Sequence, residues 1–149
     1  MEYRSDDLTR LLAGTYMRMH RRVDAAMAEQ GASLARTKML LLIEKQGGEA
    51  KAADLAGWLG QAPRTVTEAL DGLERDRLIE RTPDAADRRV KRLRITDEGR
   101  RAIAATEPLR HRLTLEIFAP LDPAECDVLG ATLEKLIAGM DSLCGESER

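Results

Sequence analysis

Aromatic residues are scarce in this chain: its 149 residues include one Trp, one Phe and two Tyr. That scarcity argues against binding single-stranded nucleic acid by stacking bases on an aromatic platform. It also implies a core built from aliphatic helix formers. Cysteine and histidine are scarcer still: His20, His111, Cys126 and Cys144 are the full set, without Cys-x-x-Cys or similar metal-ligand spacing. No metal and no cofactor are therefore expected. Catalysis needs a nucleophile, a base and an orienting group brought together, or several metal ligands, so an enzyme is not expected either. No run approaches the roughly 20 apolar residues that cross a bilayer. The charged start Met1-Glu2-Tyr3-Arg4-Ser5-Asp6-Asp7 lacks the form of a signal peptide. The expectation is a cytoplasmic protein with no membrane partner.

Net charge is small, −2, but it is unevenly spread. From Arg88 to Arg101 seven Arg or Lys face only Asp97 and Glu98, a local +5, whereas Ala102 to Arg149 carries four basic and nine acidic residues, a local −5. The two segments cancel in the total. A phosphate responds to the local field, so the basic stretch matters more than the sum.

The length suits one domain, one that buries about two-thirds of the surface of its unfolded chain. Leu8, Leu11, Leu12, Thr15, Met19, Val23, Ala26 and Met27 recur at three and four residue steps, which predicts a long first helix ending near Gly31. A second helix is expected from about Ser33 to Lys45, with Met39, Leu40, Leu42 and Ile43 inside, stopping at Gly47-Gly48. A third follows around Ala53-Asp54-Leu55-Ala56. After a turn at Leu59-Gly60-Gln61 a fourth runs through Thr65 to Glu74, with Val66, Ala69, Leu70 and Leu73 inward. Leu78-Ile79-Glu80-Arg81 and Val90 to Ile95 then read as two strands joined by a hairpin whose tip is Asp87-Arg88-Arg89.

Thr96 stands where an N-cap belongs, with Asp97 and Glu98 in the first turn favoured by the helix dipole. The helix it starts is expected to reach about Phe118 and to bend at Pro108. Asp122-Pro123-Ala124-Glu125 opens the last helix with a cap, a proline at the first helical position and a glutamate placed to close a capping box. Leu129, Leu133, Leu136, Met140 and Leu143 form its apolar stripe. The fold class is mainly α with a small β-hairpin wing: a winged helix-turn-helix flanked by N- and C-terminal helices. More apolar surface lies on those flanking helices than a small winged domain can cover, so a symmetric homodimer is expected. A monomer whose ends fold back on the winged domain is the alternative.

The chain resembles the multiple-antibiotic-resistance regulator (MarR) family of dimeric bacterial transcription factors. The residues that carry the resemblance are Leu55-Ala56, Leu59-Gly60, Arg64-Thr65-Val66-Thr67, Leu70-x-x-Leu73-Glu74-Arg75, Leu78-Ile79, Asp87-Arg88-Arg89 and Leu93-x-Ile95-Thr96-x-x-Gly99. Their order and spacing together are specific, and the resemblance covers nearly the whole chain. It implies a single domain over 1–149, with a DNA-binding lobe at 34–101 and a dimerisation lobe made of 1–33 and 102–149. Where family members often place Ser or Asp to cap the recognition helix, this chain has Ala62.

A recognition helix offers the side chains of its first two turns to base edges, while backbone amides and basic groups hold phosphates. Pro63, Arg64, Thr65, Thr67 and Glu68 occupy those turns. Arg64 suits guanine or a phosphate, Thr65 and Thr67 a thymine methyl or a phosphate, and Glu68 the cytosine amino group. The bland reading is a solvated helix face. In the wing, Asp87 and Arg89 match the family's Asp-x-Arg pattern, in which the acid braces the hairpin and the arginine approaches the minor groove. Arg88 either shares the groove or sits on phosphate, and Lys91 and Arg92 either meet the DNA backbone or stay solvated. Arg36, Thr37 and Lys51 are weaker phosphate candidates at helix starts.

The family also implies a small aromatic or phenolic anion as inducer, bound between the dimer helices and the winged domain. Met17, His20, Arg21, Met39, Ile43 and His111 are the candidates for that site, with core packing or solvent exposure the alternative for each. Trp58 reads as core. Thiol sensors in the family carry their cysteine in the first helix, where this chain has none. Cys126 and Cys144 lie eighteen residues apart, roughly 27 Å along one helix and too far for a disulfide within it; both read as buried structural cysteines. The function expected is a homodimeric repressor on a pseudo-palindromic operator in double-stranded DNA. A winged-helix protein-interaction module and an effector-independent DNA binder are the alternatives.

Overall fold

The computed structural model describes residues 3–146, with side chains to residue 142. Its elements are α1 (Ser5–Glu29), α2 (Leu34–Lys45), α3 (Ala52–Leu59), α4 (Pro63–Arg75), β1 (Ile79–Pro83), β2 (Lys91–Ile95), α5 (Asp97–Phe118) and α6 (Pro123–Glu146). Packing divides the chain into two compact units, one ending at His111 and the other starting at Arg112.

The first unit has one apolar core. Met39, Leu40 and Ile43 of α2, Leu55 and Ala56 of α3, and Val66, Leu70 and Leu73 of α4 meet Ile79, Leu93 and Ile103 there. The three α4 residues lie at three and four residue steps and so share one side of the helix. Leu42, expected inside with its neighbours, is only half buried. Along α1 the expected stripe reaches the interior at its C-terminal end alone: Ala26 and Met27 are buried, while Leu8, Leu11 and Leu12 stay exposed.

Ser33 caps α2, its Oγ accepting from the Arg36 amide at 3.3 Å. Gly60 closes α3 in the left-handed region, φ 60°, where a side chain would strain the backbone. Helix α4 ends differently. Arg77 takes φ 59°, and the Leu78 amide reaches back to the Leu73 carbonyl oxygen at 2.9 Å, the six-to-one bond of a left-handed helix stop.

Strands β1 and β2 pair antiparallel, Ile79 opposite Ile95 and Pro83 opposite Lys91. On the other edge of β2 the Leu93 amide donates to the Ala50 carbonyl oxygen at 2.8 Å, so the α2–α3 connection adds a one-residue rung. Thr96 caps α5 as expected: its Oγ1 accepts from the Gly99 amide at 3.0 Å and donates to the Arg77 carbonyl oxygen at 2.7 Å. Helix α5 runs through Pro108 without a break.

In the second unit Asp122 and Glu125 form the expected capping box, each carboxylate accepting from the other's amide at 2.8 and 2.9 Å. Val128, Leu136, Ile137 and Met140 are exposed along α6. Cys126 is half buried rather than fully buried. The side chains of Leu143 and Cys144 fall outside the described residues, as do Met1 and Glu2. Among the described residues no helix is long and apolar enough to cross a membrane.

Candidate nucleic-acid interface

Pro63 begins α4, and the Ala62 before it supplies no side-chain cap. Proline suits this position because its fixed φ is already helical and its missing N–H is one the helix start cannot use. The amides of Arg64 and Thr65 are left with no intrahelical acceptor. With Val66, Leu70 and Leu73 turned into the core, Pro63, Arg64, Thr65, Thr67 and Glu68 all face outward. Three of these side chains are engaged within the helix: Arg64 Nε donates to Glu68 Oε1 at 3.0 Å, and Thr67 Oγ1 donates to the Pro63 carbonyl oxygen at 2.9 Å.

Ion pairs hold this helix in place from two sides. Arg81 of β1 reaches Asp71 at 2.7 Å and Glu74 at 2.8 Å, and Arg36 of α2 pairs with Asp76 just past the helix end. Of the weaker phosphate candidates, one is ion-paired and one is buried. Arg36 is committed to Asp76, and Thr37 is buried because it faces the core side of α2. Lys51 is half exposed.

The wing is organised by nested turns. Asp84 Oδ1 accepts from the Ala86 amide at 2.8 Å and from the Asp87 amide at 3.0 Å. Asp87 Oδ1 in turn accepts from the Arg89 amide at 2.9 Å, so Asp87 holds the backbone of the hairpin tip. Asp84 also accepts from Arg92 Nε. The bond from the Asp87 amide, then Arg92, then the Ala86 amide draw its carboxyl down to about 2. Sequence reasoning missed Asp84. The available signal was an aspartate three residues before the hairpin tip, where its carboxylate can accept from an amide two residues on in an Asx turn.

Arg92, expected either to meet the DNA backbone or to stay solvated, has its guanidinium paired with Asp84 and Glu49. Arg88 and Arg89 are exposed at the tip, and among the described residues neither has an ion-pair partner. The unit thus presents an uncapped helix start and a pair of unpaired arginines on a braced loop, an arrangement that can meet phosphates and base edges.

A cavity of about 450 Å³ opens beneath α4, lined by Tyr16 and His20 of α1, Lys38 and Met39 of α2, and Thr65 and Glu68 among others. Tyr16 and His20 rings lie 5.9 Å apart, and Lys38 Nζ sits 5.6 Å from the Tyr16 ring centre. Of the six residues suggested for a ligand, only His20 and Met39 line it. Met17 and Arg21 border a separate cleft with Gly14 and Arg18, because one residue along a helix is roughly 100° around it. Ile43 is buried and lies beside a third cavity, and His111 is exposed on α5. Trp58 is also corrected: it is 49% exposed, standing on the flank of α3 rather than on the side that carries Leu55, Ala56 and Leu59.

The MarR family model matches residues 33–91, from the cap of α2 to the first residue of β2. Over these residues the chain is similar to the MarR family. It is 30% identical over 89 residues to an uncharacterised HTH-type transcriptional regulator, YsmB of Bacillus subtilis (strain 168), a stretch covering 60% of this chain and 61% of YsmB. It is 25% identical over 137 residues to the transcriptional repressor MprA of Escherichia coli (strain K12), covering 91% of this chain and 78% of MprA. The MarR-like fold extends along nearly the whole chain: a crystal structure of MarR superposes with a TM-score of 0.80 at 23% identity, over 98% of this chain and 99% of that one. A cysteine-to-serine mutant of E. coli MarR in complex with operator DNA superposes with a TM-score of 0.74 at 22% identity, over 87% and 92% of the two chains.

Proposed function

We propose that this protein is a MarR-family homodimeric repressor that binds a pseudo-palindromic operator and is released by a small aromatic anion. The observation that carries the DNA contact is the pairing, in one compact unit, of an uncapped α4 start with Arg88 and Arg89 exposed on a braced wing. Pro63, Arg64, Thr65, Thr67 and Glu68 would enter the major groove, and the wing arginines the adjacent minor groove, where narrow A·T-rich sequence attracts arginine. A MarR mutant of the same fold has been crystallised on operator DNA, and MprA is a repressor; both support the reading.

Dimerisation is supported by apolar side chains that this chain leaves in water: Leu8, Leu11 and Leu12 on α1, and Leu136, Ile137 and Met140 on α6. In this reading residues 34–101 form the DNA-binding lobe, and 1–33 with 102–149 the dimerisation lobe. Two-fold symmetry then sets half-sites about one helical turn apart, and a chromosomal operator sets the site of action in the cytoplasm. The cavity between α1, α2 and α4, with Lys38 and His20 at its wall, offers a planar anion a cation and an aromatic neighbour. A ligand that releases DNA about 100-fold must bind the free form better by about 2.7 kcal/mol.

The test is binding of the purified protein to its own upstream DNA against a scrambled duplex at physiological salt, followed by titration with salicylate. Preference for the upstream DNA, reversed by salicylate, is expected. Equal binding to the two duplexes overturns the operator reading, and preference indifferent to salicylate overturns the choice of ligand.

A further inference from the structure

Arg92 is the second residue of β2, opposite Thr82, and its guanidinium joins three parts of the winged unit. Nη1 donates to the Glu49 carbonyl oxygen at 2.7 Å and lies 3.1 Å from Glu49 Oε2, on the α2–α3 connection. Nε donates to Asp84, whose other carboxylate oxygen holds the Ala86 and Asp87 amides at the start of the wing tip. One residue further on, the Leu93 amide is pinned to Ala50. Arg92 is thus the one described side chain that links the tip to the body, through Asp84. Its side chain is one-quarter exposed and that of Asp84 about one-tenth, so water screens this pair less than it screens the pairs on the helix surfaces.

We propose that Arg92, acting through Asp84, is a positioning residue for DNA binding: it clamps the wing to the α2–α3 connection so that Arg88 and Arg89 are held ready for the minor groove. This rests on the operator-binding reading above. A free hairpin tip would have to be ordered when it enters the groove, and ordering long side chains and a loop lowers affinity. The clamp moves that ordering into the folding of the free protein. It also explains why an acid that accepts three hydrogen bonds stands beside a basic hairpin. On charge alone Asp84 repels phosphate; as the clamp's acceptor it favours binding.

These two roles predict opposite signs for one substitution. Asp84→Asn removes a negative charge beside the DNA and frees Arg92 to reach phosphate. If Asp84 were only an electrostatic load, affinity would rise. If it anchors the wing, affinity for the upstream DNA falls by about tenfold, the loss of a pre-organised loop with two immobilised arginines. Three measurements decide. Operator affinity of Asp84→Asn and of Arg92→Ala is compared with wild type at one salt concentration. The same substitutions are then made in the Arg88→Ala/Arg89→Ala background, where a positioning role predicts no further loss. Amide hydrogen exchange at Ala86 and Asp87 is followed in free Arg92→Ala, a variant that leaves their acceptor in place; faster exchange is expected, with Arg92→Lys intermediate.

Wild type that discriminates its upstream DNA while Asp84→Asn binds as tightly or more tightly overturns the clamp alone. An equal loss in the background without wing arginines also overturns it, since that loss reports a direct contact or a fold defect. Unchanged exchange in Arg92→Ala has the same consequence. Wild type that prefers neither duplex brings down the operator-binding reading, and the positioning role with it.

Discussion

Arg64 and Glu68 face each other one turn apart on the outward side of α4, Nε to Oε1 at 3.0 Å, both exposed. Such a pair is worth a few tenths of a kcal/mol to the helix, so its importance lies in what it does to Arg64. While paired, the guanidinium lies along the helix and its charge is offset. In Glu68→Ala it is free to seek the nearest phosphate, whatever the sequence. Random-duplex affinity is expected to rise several-fold, with the salt slope steeper by about 0.9, and the preference for operator to shrink. Titration of both duplexes at three salt concentrations measures this. A specificity ratio that grows would show that Glu68 opposes recognition rather than sharpening it.

Gly99 has a different constraint. A Cβ there would lie 2.2 Å from the Leu78 carbonyl oxygen and 2.6 Å from Ile95 Cγ1. The first of these is backbone, held in turn by the Thr96 amide at 3.1 Å, so it cannot swing away as a flexible side chain would. Gly99→Ala should force α5 off the α4–β1 junction at a cost of about 2 kcal/mol. In a chain of this size that is a fall in melting temperature of roughly 4–8 °C. A thermal melt unchanged from wild type would show that the junction can give.

Where the chain signals structure locally, it was readable. Gly60 and Pro63 punctuate the helix-turn-helix, Thr96 caps the start of α5, and Asp122 with Glu125 cap α6; each of these signals works through neighbours within a few residues. What escaped depends on which side of one element meets another. Tyr16 lines the cavity and Met17 does not, a difference of one residue in the rotation of α1 that periodicity alone does not resolve. Asp84 and Arg92 are eight residues apart and meet only because the hairpin folds back. Trp58 reads as core, yet Leu55, Ala56 and Leu59 already fill the inward side of α3.

Asp84 also makes a pH prediction whose sign follows from its depressed carboxyl, about 2 against an ordinary value of 3.8. Because the folded state favours the charged form, the stabilisation is fully present above about pH 4 and is lost as pH falls through about 2. Asp84→Asn lacks that contribution at every pH. Urea midpoints for the two proteins should therefore differ at neutral pH and converge between about pH 4 and pH 2. A gap that persists undiminished at the acid end would mean that the asparagine disturbs the wing by shape and not by charge.

Ala62 leaves the start of α4 without a side-chain acceptor, although its extended backbone, φ −61° and ψ 137°, is one from which serine caps. Ala62→Ser should add about 1 kcal/mol to stability, a rise in melting temperature of roughly 2–4 °C. The consequence for DNA runs the other way. If a phosphate caps the helix in the complex, the serine hydroxyl competes for the same amides, and that ~1 kcal/mol must be given up on binding. Affinity for the upstream duplex should then fall by up to about fivefold. A variant that is more stable and also binds more tightly would mean that the phosphate sits elsewhere, and the missing cap would lose its functional explanation.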